Sequence, residues 1–231
     1  MAEAVGAATV DMEQIQLHPT VYQATSMLVS EKMRSLGAIL VNHEGVRFTN
    51  DLATRDAVSA AELEQTGGYA WIIFDQNLVD NNKSAKQYIE QGMAVTGETY
   101  EALAQAMDVD VDAFVETMNT WNQAVADGED KAFGRNNGMD ADLSTAPYYA
   151  IQIAPGIHHT MGGIKSNTAT EVISTEGNAI PGLYAAGETT GGVHGGNRIG
   201  GNAVCDFVVF GRIAGANAAE YAGAQTLAPA A

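Results

Sequence analysis

The sequence predicts an α+β protein, and three observations carry that expectation. Short apolar runs such as YAWIIFD and YYAIQIAP have the length and residue types of strands. A stripe of apolar residues at Val111, Phe114, Val115, Met118 and Trp121 has helical spacing, with acidic residues on the other face. The run from Gly156 to Asp206 gathers glycines, histidines and an arginine immediately before an Ala- and Gly-rich helical segment. At 231 residues with 46% apolar side chains, the chain can build one large domain or two small ones.

Taken in order, Met12–Thr20 alternates apolar and polar residues until Pro19, as in a strand leaving a sheet with His18 at its end. SMLVSEKMRSLG reads as a helix of about two to three turns stopped by Gly37, with Ser30, Glu31 and Arg34 on one side. AILVNHEGVRFTN reads as a hairpin turning at His43-Glu44-Gly45. LATRDAVSAAELEQ is a helix with Thr54 or Asp56 near its start, which puts Arg55 at a loop-to-helix junction. YAWIIFD is a buried strand, and helices broken by Gly92 and Thr96-Gly97 occupy the stretch from Asn77 to Met107. Residues 128–147 are polar and loop-like. After the YYAIQIAP strand come a small hairpin, a buried strand at Leu183–Ala186 and a helix from Asn202 to Tyr221.

Eleven basic against 28 acidic side chains give a formal net charge of -17. That field argues against nucleic acid or an anionic membrane surface as a partner, and any anionic ligand needs cations gathered locally. Arg34, Arg55 and Arg198 all lie in motif-like stretches. The single Cys205 excludes an internal disulfide and is expected as a buried structural thiol. No apolar run approaches the ~20 residues of a membrane-spanning helix. The first residues lack the basic and apolar regions of a secretory signal, and they read like the end of one element running into a strand. Compartment is not legible from them. Neither a calcium loop nor zinc-ligand spacing is present.

Glu188 follows a short apolar strand, where open α/β sheets place ligand-binding groups; its carboxylate could accept hydrogen bonds from ribityl hydroxyls or brace a loop. HGGNRIGGNA surrounds Arg198 with glycines and opens a helix near Asn202. Such a turn lets backbone approach a ligand, and Arg198 offers a planar fork for a carboxylate or for one of the chain's own acids. His158 and His159 are neighbours on an extended segment, so only one can face a given pocket.

Five motifs in this order, QLHPT, ATRD, HHTMGGI, IPGLYAAGE and HGGNRIGGNA, resemble the fumarate reductase flavoproteins, specifically the soluble flavocytochrome c type. Succinate dehydrogenase and L-aspartate oxidase flavoproteins are similar more weakly. The resemblance covers essentially the whole chain and implies an FAD enzyme whose Rossmann-like flavin domain is interrupted by a capping, or clamp, domain of helices and a small mixed sheet. It implies residues 1–13 as the end of a first flavin-domain segment, 14–155 as the capping domain and 156–231 as the last flavin-domain segment. The dinucleotide fingerprint G-x-G-x-x-G is not in this sequence.

Residue by residue, the resemblance implies that His158 and Arg198 hold one substrate carboxylate. His18 and Ser30 hold the other, Ser30 standing at a position usually Thr. Arg55 is the acid that protonates carbon, with Glu31 and Arg34 as its proton relay. Gly187, Glu188, Asn202 and Ala203 are the flavin contacts. The implied substrate is fumarate, with urocanate or another enoate as the alternative. The implied electron donor is of unspecified kind, a haem or FMN domain or protein among the options. The rival reading is a non-catalytic one: a truncated or split chain acting as a binding or interaction module, or a subunit that completes its site with a separate N-terminal FAD-binding polypeptide.

Overall fold

The computed structural model describes residues 1–227. The chain divides into two compact units: Leu17–Gly156, and Met1–Gln16 together with the chain from Ile157 onward. In chain order the elements are β1 (Thr9–Val10), β2 (Ile15–Tyr22), β3 (Met27–Leu28), α1 (Lys32–Ser35), β4 (Ile39–Val41) and α2 (Arg55–Leu63). Next come β5 (Ala70–Asp75), α3 (Gln76–Asn81), α4 (Lys83–Glu90), β6 (Ala94–Gly97), α5 (Tyr100–Met107) and α6 (Val111–Asp127). The last elements are β7 (Tyr148–Thr160), β8 (Gly163–Ile164), β9 (Glu171–Ile173), β10 (Ala179–Tyr184) and α7 (Asn202–Leu227).

A six-stranded sheet ordered β3-β2-β7-β5-β4, with β6 also on β7, forms the backbone of the Leu17–Gly156 unit. Its two faces follow from strand alternation. Leu40, Ile72, Phe74, Ile151 and Ile153 pack on one side with Val58 of α2 and Ala85 and Tyr88 of α4. Ile39, Val41, Trp71, Ile73 and Ala150 pack on the other with Leu103 of α5 and Phe114, Met118 and Trp121 of α6. Because both faces are covered, all six residues of β5 are buried, which explains why YAWIIFD shows no polar alternation. Asp110 caps α6 through the Ala113 amide, and Gly128 ends it in the left-handed conformation.

Several local expectations are corrected. β2 runs through Pro19 to Tyr22, so His18 lies inside a strand and is buried. Met27 and Leu28 pair with Tyr22 and Val21 as β3, which leaves α1 a single turn. Strand pairing there displaces the expected longer helix. The hairpin at residues 43–45 has its turn, with the Asn42 amide donating to Val46 O at 2.9 Å, but no second strand. Instead Arg47 turns inward to buried carboxylates. Ala94–Gly97 is a strand on β7, because its backbone completes that edge of the sheet.

In the other unit, β1 pairs with β8, and β9 with β10, around a small core of Ala7, Val172 and Ala185. Gly162 must be glycine, since a Cβ there would stand 1.9 Å from Asp11 O. The expected buried strand at Leu183–Ala186 is the half-buried end of β10 and the residues after it, with Ala185 alone fully buried, because among the described residues β10 pairs with β9 only. Cys205 is exposed, not buried, as are Phe207, Val208 and Val209 in the same stretch of α7. Among the described residues, no helix is long and apolar enough to cross a membrane, and no cluster of His, Cys, Asp or Glu could hold a metal ion.

Candidate functional site

In the Leu17–Gly156 unit the chemistry centres on one carboxylate. Arg55, the first residue of α2, donates from Nε to Glu31 Oε1 at 2.7 Å and from Nη2 to Oε2 at 2.8 Å, a bidentate fork. Arg34 Nη2 lies 3.8 Å from the same carboxylate, and His18 Nε2 lies 3.9 Å from it. The Arg55 hydrogen bonds hold the Glu31 carboxyl down at about 2, against the opposing effect of burial; the charges of Arg55, His18 and Arg34 add to the lowering. Glu31 precedes α1 as its N-cap residue, so the Glu31–Arg34 proximity arises at the mouth of a one-turn helix.

His18 has a defined tautomer when neutral. The Thr20 amide donates to Nδ1 at 3.3 Å, so the proton sits on Nε2, toward Glu31. The Thr20 hydroxyl is committed to Val29 O at 2.7 Å. Ser30 is half-buried; its Oγ accepts from the Lys32 amide at 3.2 Å, and its own amide donates to the Tyr88 hydroxyl.

Arg34 is itself braced. Its Nη1 donates to Asp51 O, and its carbonyl accepts from Arg135 Nη2 at 2.6 Å. Asp51 is fully buried: Oδ1 accepts from the Leu40 amide at 2.6 Å, while Oδ2 accepts from Arg47 at 2.6 Å and Arg135 at 3.2 Å. Arg47 also reaches Asp130, and Arg47 and Arg135 each stack on Trp121 at 4.6 Å. Sequence reasoning missed Asp51, Arg47, Asp130 and Arg135. Only the inward turn of the chain after β4 and a long polar loop bring them together.

A stability effect follows from Glu31. Its folded-state pKa lies below the ordinary 4.5, so its contribution is present above that value and is lost as pH falls through about 2. In urea unfolding, the wild type loses stability across this acid window, and Glu31→Gln lacks that component. An identical acid slope in both proteins would refute the assignment.

In the second unit, Gln16 Nε2 donates at 2.6 Å both to Asn197 Oδ1 and to Arg198 O, pinning the glycine-rich turn. Arg198 is buried, with Nη1 donating to Ile199 O at 3.0 Å. On β7, His158 is exposed and His159 buried, as strand alternation requires. Neither ring nitrogen of His159 has a hydrogen-bond partner; burial lowers its pKa. Its ring meets that of His194 edge-on at 5.3 Å, and His194 Nε2 lies 3.1 Å from Asp206 Oδ2. The His159–His194–Asp206 series had no sequence signal, because its members are separated by a strand, a glycine turn and a helix start.

Glu188 lies in a short turn at Gly187–Thr189, and its Oε1 accepts from the Thr160 amide at 3.0 Å, a loop-bracing bond. Gly187 takes φ 78° with its Cβ position 3.2 Å from Phe207 Cβ, so a side chain there is doubly disfavoured. At the start of α7 the Asn202 amide is used by Ile199 O. Ala203 occupies the first turn, where helix geometry leaves N–H groups without an intrahelical acceptor. A groove of about 630 Å³ in this unit is lined by Val10, Lys165, Thr190, Gly191, Gly192 and Phe210, among others.

Residues 1–204 match the family model described as an FAD binding domain. The chain is 48% identical over 222 residues to an NADH:fumarate oxidoreductase of Klebsiella pneumoniae (strain 342), covering 96% of this chain and 24% of that protein. It is 36% identical over 231 residues to a urocanate reductase of Eggerthella lenta, covering 96% of this chain and 38% of the relative. The solved open conformation of a flavocytochrome c3 fumarate reductase superposes with a TM-score of 0.79 at 48% identity, over 96% of this chain and 39% of that one. The chain thus spans well under half the length of these relatives.

Proposed function

We propose, from the premise that this chain belongs to the FAD-binding domain family and to its fumarate reductase flavoproteins, that it supplies the substrate-holding and proton-donating groups of a reductase acting on a carboxylate-activated C=C bond. The observation that carries this reading is the Arg55–Glu31 fork backed by the buried Arg34. An arginine is a poor acid in water, with a pKa above ~12. A carboxylate bonded to it and a second guanidinium behind that carboxylate provide a route by which a lost proton is replaced.

The family's cofactor is FAD. Features of the second unit are compatible with its isoalloxazine end: a groove walled by glycine backbone, the first turn of α7 at Asn202 and Ala203, and the carboxylate of Glu188 beside Gly187. Bound FAD supplies a hydride to one carbon of the substrate double bond. Arg55 delivers the proton to the other carbon, and Glu31 and Arg34 restore it. His158 and Arg198 hold one carboxylate of the substrate; His18, through Nε2–H, and the Ser30 hydroxyl hold the group at its other end. Cationic donors aimed at a carboxylate stabilise negative charge as it spreads from the reacting carbon.

In this reading the Leu17–Gly156 unit is the capping domain, and the other unit is the closing part of the flavin domain. Most of the FAD is held by polypeptide outside these 231 residues, either N-terminal in the same protein or a separate chain. The apolar side chains exposed on α7, Val204, Phe207, Val208 and Val209, favour such a covering segment. The isolated 231-residue chain is therefore expected to purify colourless and inactive.

The test compares fumarate, urocanate and acrylate as acceptors for the FAD-loaded protein that contains this chain, using a reduced dye as donor. Fumarate is the expected preferred acceptor, because the residues assigned to each end of the substrate are carboxylate-binding groups. Arg198→Met should raise KM for fumarate ~10–100-fold, the loss of a charged hydrogen-bond partner. Equal turnover of all three acceptors, or an unchanged KM, would rule out the assigned roles.

A further inference from the structure

Arg55, Ser59 and Glu62 occupy one buried face of α2 at spacings of four and three residues. Glu62 has no exposed surface, and neither of its carboxylate oxygens closes a hydrogen bond of normal geometry. The Ser59 hydroxyl and Arg34 Nε are likewise buried without a hydrogen-bond partner. Facing Glu62 are the Arg34 guanidinium and the Ala70 backbone amide. Arg34 also feels Glu31, Asp51 and Arg135. The last group of the relay thus has a third acidic neighbour besides Glu31 and Asp51, on the helix that begins with Arg55.

A carboxylate deprived of water and of hydrogen bonds is strongly disfavoured relative to the neutral acid. We propose that Glu62 is kept as a neutral carboxylic acid behind Arg34, and that its ionisation at alkaline pH shuts down the Arg34–Glu31–Arg55 relay. It is a positioning residue that acts through Arg34. The inference rests on the relay reading given above.

The mechanism is electrostatic. Burial lowers the proton affinity of Arg34, while the charges of Glu31 and Asp51 raise it. A neutral Glu62 leaves that balance where Arg34 can pass a proton to Glu31. When Glu62 ionises, its proton leaves to solvent and one negative charge appears beside Arg34, which then holds its proton more tightly. No other bond changes. Burial is the main cause that pushes the Glu62 carboxyl up to about 9, partly offset by the Arg34 charge and the Ala70 amide.

The experiment uses the FAD-loaded protein. Infrared difference spectra of the ¹³C-glutamate-labelled wild type are expected to contain one protonated carboxyl at neutral pH that titrates near 9 and is missing from Glu62→Gln. The pH profile of kcat/KM for fumarate falls about tenfold per pH unit above that point in the wild type and in Glu62→Asp. In Glu62→Gln this alkaline limb disappears, whatever the rate at pH 7. A Glu62 carboxyl that titrates near 4.5, or a limb unchanged in Glu62→Gln, would overturn the inference. Turnover retained by Arg55→Gln would instead overturn the relay reading and leave the infrared titration of Glu62 intact. If Glu62→Gln fails to fold, the wild-type infrared titration decides alone.

Discussion

Arg55→Gln in the FAD-loaded protein lowers the rate of C=C reduction by about 10²–10⁴-fold, the usual contribution of a positioned proton donor, with the flavin absorption spectrum unchanged. The reason is local to the Leu17–Gly156 unit. Glutamine cannot supply the two parallel N–H donors that meet Glu31 at 2.7 and 2.8 Å, and it has no proton to give at working pH. Arg55→Lys separates charge from geometry: lysine keeps a cation and a transferable proton but loses the fork. If geometry matters as proposed, the lysine variant is also severely impaired, and its residual rate follows a different pH profile. Steady-state reduction with a dye donor and a spectrum of the bound flavin suffice. A wild-type rate in Arg55→Gln would remove Arg55 from the mechanism.

The second large effect concerns folding. Asp51→Asn removes the buried negative charge shared by Arg47 and Arg135, while the amide oxygen can still accept from the Leu40 backbone. Asp130 then faces two buried guanidiniums alone, and breaking a buried pair from one side costs roughly 3–5 kcal/mol. For a chain of this size that corresponds to a fall in Tm of roughly 6–20 °C, read by thermal denaturation. Arg34 is braced by this same network through Asp51 O and Arg135, so the relay geometry should loosen as well. A shift of less than about 2 °C would mean that the network is dispensable.

Much of the local structure was legible because it depends on nearest neighbours. The stripe through Phe114, Met118 and Trp121 makes a helix buried on that side, and the apolar run YAWIIFD reads as a buried strand, which the structure bears out with every β5 residue buried. The failures share one cause, competition between a local pattern and a distant partner. Met27 and Leu28 have helical spacing, yet Val21 and Tyr22 offer backbone hydrogen bonds that a short helix cannot match. The sequence after Gly45 has strand character, yet Arg47 is drawn inward by Asp51 and Asp130. Cys205 sits among apolar residues in the chain, but sequence neighbours do not decide which side of α7 is covered.

The candidate site shows the same division. The motifs around His18, Arg55, His158 and Arg198, and the residue types they contain, are properties of the sequence and name the chemistry by resemblance. That Glu31 carries two bonds from Arg55, with Arg34 and His18 within 4 Å, depends on β2, α1 and the start of α2 coming together in space. So do the buried charge of Asp51 and the burial of the Glu62 carboxyl beside Arg34. Hydrophobic periodicity and turn chemistry act over a few residues and can be read along the chain. Charge pairing and desolvation act through space, and only tertiary structure sets which groups share a buried volume.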